Sequence, residues 1–387
     1  MNADIVVVGS GIAASAAMLC FSSKGVSATQ IAPPDKSSDK IGETLSCSAN
    51  RILKELQLWD DFQEQGYLVH DLVFSAWEQP TLNRQSRFSI AEGSNWSIDR
   101  RDFEAFLRAH LDNTQHHRLF CKIQNCHQSS KGLTLELDDQ QVLQAQYVID
   151  CSGRSAIVGR RFGTRHRIDH MLCYYSFIHQ TDLEIEPTIG IMVEAVHNGW
   201  WYSAILPDHR MIISFYTYPD LVQPHLTRNL PAWQTLIGQA PLTHQRIETA
   251  GYSALEAPRA SDAGMSIQKE ISGAHWITAG DALATLDPLS SHGMTQALWS
   301  GCRAAEACVL SLQGDAYGIE HFKRTTTQAM QAYQTELVQK YRSVMRFSDQ
   351  PFWQRRGALN FLRETALAIE ETSPQYSSQR KKNQKQP

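Results

Sequence analysis

The chain lacks several features, and each absence removes a class of protein. None of its 387 residues falls in an apolar run near the roughly 18 needed to span a bilayer, so no membrane helix is expected. A one-signed charge excess is also missing. Lys and Arg number 36 against 40 Asp and Glu, and a formal net charge of −4 with mixed signs argues against a nucleic-acid partner. No CxxC pair occurs among the eight cysteines, and Cys20, Cys151, Cys302 and Cys308 fall within apolar periodic segments, as buried reduced thiols do. His116-His117 and the other histidines show no metal-ligand spacing, so no metal site is expected. There is no internal repeat. The start MNADIVVVG leads directly into an apolar run with no signal peptide before it, and a cytoplasmic enzyme is expected, away from any membrane.

What is present is a strand that ends in glycine, three times over. Residues 4–8 (DIVVV) form a continuous β-branched run, as in a buried parallel strand. Gly9-Ser10-Gly11-Ile12-Ala13-Ala14 then opens a helix rich in Ala, Met and Leu, and a second strand follows at about residues 26–32. This is a dinucleotide fingerprint. Gly9 permits a tight turn, Gly11 lets backbone approach a pyrophosphate, and Ala14 allows close packing of helix on strand. One departure stands out: Ala32 occupies the place of the acid that should bind a ribose, and Asp35 follows slightly late, behind Pro33-Pro34.

The second segment is YVIDCSGRS at residues 147–155, where a strand ends in Asp150 and a turn at Gly153. The third is WITAGDALATLDPLSSHGMTQALWSG at residues 276–301. There a strand ends in Gly280-Asp281, a turn follows at Asp287-Pro288, and a Ser/Gly loop leads to a helix opening near Met294. An acid in that place can hold a hydroxyl chain, and the free N–H groups of a helix start favour developing negative charge.

Between these segments the character changes. Residues 48–65 look helical, 100–111 form an amphipathic helix with Asp99 as N-cap, and 117–146 read as hairpin strands around Lys131-Gly132. Residues 170–251 are β-rich, with strands expected at 173–179, 188–196, 200–206 and 211–218 in an open sheet with one wet face. Helix returns at 315–346, with Phe322, Met330, Tyr333, Leu337 and Tyr341 as its buried stripe. The expected fold is α/β: a discontinuous Rossmann-like domain (1–70, 96–165, 265–315), a β-sheet substrate domain (71–95, 166–264), C-terminal helices (316–373) and a mobile tail (374–387).

Together, the glycine fingerprint, Asp150-Cys-Ser-Gly153-Arg154 and Gly280-Asp281…Asp287-Pro288…Gly293 resemble the FAD monooxygenases of the p-hydroxybenzoate hydroxylase type. Ile41-Gly42-Glu43-Thr44-Leu45, Trp96-Ser-Ile-Asp99-Arg100, Gly199-Trp200-Trp201 and Phe352-Trp353-Gln354-Arg355-Arg356 are similar to the halogenase-like branch. Within it, the compact length and DPLSSHG wording look most like the LodB/GoxB-type flavoproteins that mature cysteine tryptophylquinone oxidases.

The resemblance implies FAD as cofactor, NAD(P)H as transient electron donor, O2 as co-substrate and a tryptophan of an amino-acid oxidase precursor as the protein substrate. It also implies roles. Gly9, Gly11, Ala13 and Ala14 meet the pyrophosphate; Glu43 and Thr44 lie near the flavin; Arg100 reaches the phosphates or the ribityl chain, unless it is an ordinary exposed arginine. Asp281 holds the ribityl hydroxyls, Pro288 packs on the ring, and N–H groups at Gly293 and Met294 face its N1/O2 edge. Reduced flavin and oxygen form a C4a-hydroperoxide that water destroys, so a dry pocket above the ring is required. Trp200, Trp201, Tyr202, Tyr216 and Tyr218 are its candidate walls, with plain core as the alternative. Trp200, Trp201 and Tyr202 are the aromatic candidates nearest the ring, and His292 could act on protons or simply bond to backbone. Related halogenases share a Trp-x-Trp-x-Ile-Pro segment and an active-site lysine. Here the nearest run, residues 200–207, breaks that pattern, and Lys36 and Lys40 sit in a Ser/Asp-rich loop. Halogenation, small-molecule hydroxylation and a non-catalytic flavin-binding chaperone remain the alternatives.

Overall fold

The apolar N-terminal run forms the strand Asn2–Val8, flanked by parallel strands on both sides. A computed structural model of the protein describes residues 1–34, 40–70, 72–86, 93–111, 114–180, 190–253 and 256–360. Asp35, Lys36, the start of the strand expected from 188, the end of the C-terminal helical region and the tail lie outside these residues. Val8 is in register with Ile31 of Thr29–Ile31 and with Asp150 of Val142–Asp150, which in turn pairs with Thr278 of Trp276–Thr278. All these pairings are parallel. The three glycine-ended segments therefore finish at one edge of one seven-stranded sheet, where crossover connections leave a crevice for ligands.

Two helices carry that edge. Ile12–Ser23 is buried from Ile12 to Phe21, which its Ala-rich composition permits, and it packs against Gly293–Leu312. Backbones meet closely there. A Cβ on Gly301 would stand 2.2 Å from the carbonyl oxygen of Ala13, so only glycine fits.

A second, eight-stranded sheet roofs this unit, with its centre in Leu172–Gln180, Met211–Thr217, Gly199–Ile205 and Ile191–Val196. Its expected wet face is not found. Gly199–Ile205 and Met211–Thr217 are buried along their whole length. One face packs on the C-terminal helices Tyr317–Arg342 and Pro351–Gly357, the other on Leu230–Gly238 and Pro241–Thr249. Those last two helices escaped the sequence pattern because each buries only two residues, Trp233 with Ile237 and Thr243 with Ile247, too few for a visible period.

Two further expectations are corrected. Residues 48–65 form two helices, Ser48–Glu55 and Trp59–Gln63, interrupted where Gln57 takes a left-handed φ of 61°. His117–Leu119 joins Thr29–Ile31 as a parallel edge strand, and the hairpin begins only at Ile123–Ser129. The helix Arg100–Ala109 starts as expected, with the Asp99 carboxylate accepting from the Arg101 N–H at 2.8 Å. No helix of the described residues is long and apolar enough to cross a membrane.

Candidate functional site: a flavin cleft and an aromatic slot

A cleft of about 270 Å³ runs along the strand ends, under the roofing sheet. Ten of the expected site residues line it: Gly11, Ala13, Glu43, Thr44, Arg100, Tyr202, Asp281, Pro288, Gly293 and Met294. Gly9 lies behind the wall. Its φ is +120° and a Cβ there would come within 2.3 Å of the Cys151 oxygen, so it serves the turn. Gln30 steadies the same turn by donating from Nε2 to the Gly9 carbonyl at 2.9 Å. Ala14 is fully buried against the neighbouring helix.

The acid of each strand end does something different. Asp150 is fully buried and does not line the cleft. It accepts from the N–H groups of Ser152 (3.0 Å), Val158 (2.8 Å) and Gly159 (2.8 Å), which fixes the turn that presents Cys151, Gly153 and Arg154. Asp281 faces the cleft, with its nearest cation Arg154 at 3.9 Å. Its turn is braced by Arg165, whose guanidinium donates to the carbonyls of Asp281 and Ala282 at 2.7 Å and is pushed down to about 10 by burial.

Arg100 is not an idle helix-start arginine. It donates to the Ile41 carbonyl at 3.0 Å and to Glu104 at 3.1 Å. Buried Glu104 also takes Lys40 at 2.5 Å. Glu43 is buried in the cleft wall, and desolvation raises its pKa to about 7 against the pull of the Gly42 N–H and Arg100.

The roofing sheet sorts its aromatics by strand alternation. Trp200 and Tyr202 point to the flavin side and Trp201 to the other, so Trp201 is removed from the expected cleft wall. It is 1 % exposed, stacked on Phe215 at 4.9 Å and tilted against Trp233 at 4.9 Å. Tyr216 lines the cleft, whereas Tyr218 packs on Phe352 behind it. Tyr202 shares a hydrogen bond of 2.8 Å with Thr44, and burial drives its pKa up. Tyr202, Pro288 and Ser291 also bound a second, adjoining slot of about 120 Å³. Trp200, Val193 and Leu289 give this slot apolar walls, and Glu336, Lys340 and exposed His292 stand on its rim. His292 is therefore placed beside the slot and away from the cleft.

One buried network links residues far apart in the sequence. Asp287, at the head of the Pro288 loop, caps Leu289 N–H at 2.8 Å and accepts from the Tyr341 hydroxyl at 3.0 Å. It also pairs with fully buried Arg356, which bonds Asp169 at 2.7 Å. Trp200 joins by donating to the Tyr341 oxygen at 3.1 Å. Arg356 stands out in the sequence only as part of a family-like motif, and an arginine ordinarily reads as exposed, so its role as the pin between the C-terminal helix and this loop has no local signal.

The cleft suits FAD. A Cβ added at Gly11, Gly153 or Gly293 would meet nothing within 4 Å, so bare backbone faces open space where a pyrophosphate or a ring edge must approach closely. Gly293–Leu312 has no side-chain cap, which leaves the first-turn N–H groups available to an anionic edge. When bound, the flavin supplies the electrons and the oxygen chemistry. Gly11 would take its pyrophosphate, Asp281 its ribityl hydroxyls, and Pro288 and the Gly293-Met294 amides its ring.

Known proteins share this fold. A family model for tryptophan halogenase matches residues 74–384. LodB of Marinomonas mediterranea, named as an FAD-dependent oxidoreductase, is 23 % identical over 385 residues, covering 94 % of this chain and 99 % of its own length. The myxobacterial chondrochloren halogenase CndH has the same fold, with a TM-score of 0.81 at 17 % identity over 96 % of this chain and 89 % of that one. The peptidyl tryptophan dihydroxylase QhpG superposes with a TM-score of 0.71 at 19 % identity, over 92 % of this chain and 79 % of that one. The chain belongs to the tryptophan halogenase family, and within it this protein is a LodB-like flavoprotein.

Proposed function

We propose that the protein hydroxylates a tryptophan side chain of a partner protein, the precursor of an amino-acid oxidase, during formation of its cysteine tryptophylquinone. The observation that carries this is the slot beside the cofactor cleft. It is aromatic-walled, separated from the cleft only by Tyr202 and the Pro288 loop, and it opens at a rim of charged and polar residues. QhpG, a protein of like fold, is named for acting on peptidyl tryptophan, which supports a protein-borne ring as the occupant.

In this division of labour, segments 1–70, 96–165 and 265–315 hold the flavin, and 71–95 with 166–264 hold the substrate. Trp200 and Val193 would sandwich an indole, and Tyr202 with Thr44 would orient it towards the flavin. The buried walls exclude water, which would otherwise quench the activated oxygen. His292, on the rim, is suited to contact the partner chain. NAD(P)H would serve as a transient donor, and O2 as the oxygen source.

Co-expression with an oxidase precursor, followed by mass measurement of that precursor, tests the assignment. Oxygen-atom additions on tryptophan are expected, from a yellow protein that releases FAD on denaturation. An unmodified precursor beside efficient turnover of free phenols would overturn it. Halogenation is the second reading, because Lys340 stands on the slot rim beside Glu336. Of the two lysines considered from the sequence, Lys36 lies outside the described residues and Lys40 is held by Glu104. Bromide in the same assay separates the two, since only a halogenase adds bromine to the product.

A further inference from the structure

Among the described residues, Glu43 is the one carboxyl of the cleft wall that is enclosed with no cation bonded to it. It is 7 % exposed and accepts a hydrogen bond from the Gly42 N–H at 2.6 Å. No side chain among the described residues bonds it. The nearest cation, Arg100, is occupied by Glu104 and the Ile41 carbonyl, and Lys40 is likewise held by Glu104. Asp99, from the turn before the helix, adds a repulsive charge. On the sheet side it faces Tyr202, Tyr216 and Cys173, all held neutral by burial. An ionised carboxylate is costly in such surroundings, so the neutral acid is favoured.

The position of this acid is as particular as its environment. On one side, the Cβ missing from Gly42 would lie 3.7 Å from Met294 Sδ, at the opening of the helix whose N–H groups face the cofactor space. On the other side, Thr44 bonds the Tyr202 hydroxyl, and Tyr202 belongs to both the cleft and the aromatic slot. The carboxyl thus stands at the boundary where cofactor and substrate must meet. His292, the proton carrier suggested by sequence, is on the solvent-exposed rim.

We propose that Glu43 is the acid–base residue of oxygen transfer, giving its proton to the oxygen atom that leaves as water and recovering one from the hydroxylated ring carbon. The step balances. Reduced flavin supplies two electrons and two protons; one atom of O2 forms the new C–O bond as the O–O bond breaks and carries one of those protons as the product hydroxyl. The other atom departs as water with the second of them and the proton from Glu43, and the broken C–H bond returns the proton that Glu43 gave up. This rests on the monooxygenase chemistry, and on the tryptophan reading only for the identity of the ring.

The test compares FAD-loaded wild type, Glu43→Gln and Glu43→Asp. Infrared spectra of the wild type should show a neutral carboxylic-acid carbonyl band that disappears with a midpoint of about 7, absent from Glu43→Gln. Glu43→Gln should keep its FAD and lose about 10²–10⁴-fold in turnover, as for removal of a general acid. Wild-type turnover should fall on the alkaline side of that midpoint, and Glu43→Asp should retain a shifted alkaline limb. A wild type without the titrating band, or a Glu43→Gln enzyme with wild-type rate and pH profile, overturns the proposal. The infrared measurement needs no substrate. A titrating band in a wild type that leaves the precursor untouched therefore supports the role of Glu43 while counting against the tryptophan reading.

Discussion

Replacing Arg356 by methionine should be the most damaging single change in the C-terminal helix Pro351–Gly357. The guanidinium is fully buried between Asp169, at 2.7 Å, and Asp287, and lies 4.6 Å from the Tyr341 ring centre. Methionine restores much of the apolar volume but leaves two buried carboxylates without their cation. Asp287 would keep the Leu289 N–H and the Tyr341 hydroxyl, and Asp169 the Met171 N–H, which offset only part of the loss. Removing one member of a buried ion pair costs about 3–5 kcal/mol. With an unfolding entropy of roughly 2.1 cal/mol/K per residue, a 387-residue chain should lose about 4–6 °C in Tm. A thermal melt followed by circular dichroism measures this directly. The double variant Arg356→Met with Asp287→Asn should recover part of the loss, because a neutral amide tolerates burial better than an orphaned carboxylate. A fall below about 1 °C in Arg356→Met, or strictly additive losses in the double variant, would refute the role of this network.

Three further outcomes are expected. Gly11→Val should fold and lose FAD, since its side chain would project into open cleft, whereas Gly9→Val should lose the fold itself, its Cβ meeting backbone at 2.3 Å; absorbance of bound flavin beside circular dichroism distinguishes them. Asp281→Ala should weaken FAD binding by about 1.5–3 kcal/mol, the worth of hydrogen bonds to a charged group, read as a dissociation constant by flavin fluorescence titration. Trp201→Ala should cost about 3–5 kcal/mol of stability as a core truncation, while Tyr202→Phe, which loses only the bond to Thr44, should melt normally and impair precursor modification. A stable, inactive Trp201→Ala variant would reverse that assignment.

Local sequence was sufficient wherever one backbone segment does the work. The turn at Gly9, the bare approach at Gly11, the Asp99 cap and the acid-bearing turn at Asp281 each depend on a few consecutive residues whose conformational needs are written in their types. Parallel strand ends then bring the three segments together, because an α/β sheet with crossover helices leaves its crevice at that edge. Strand alternation separates Tyr202 from Trp201, both expected near the ring, but which face meets the cleft could not be read from it. Both faces of the sheet are covered, so Trp201 looks no different from Trp200 in sequence while one is core and the other slot wall. Tertiary structure alone decided the rest. Arg356 meets Asp169 and Asp287 across separations of 187 and 69 residues, Glu104 gathers Arg100 and Lys40, and Glu43 has no cation bonded to it among the described residues. The sequence supplies the charge of such groups. Their partners, and the burial that sets their protonation, arise only when distant elements pack, since desolvation depends on everything that surrounds a group and not on its neighbours along the chain.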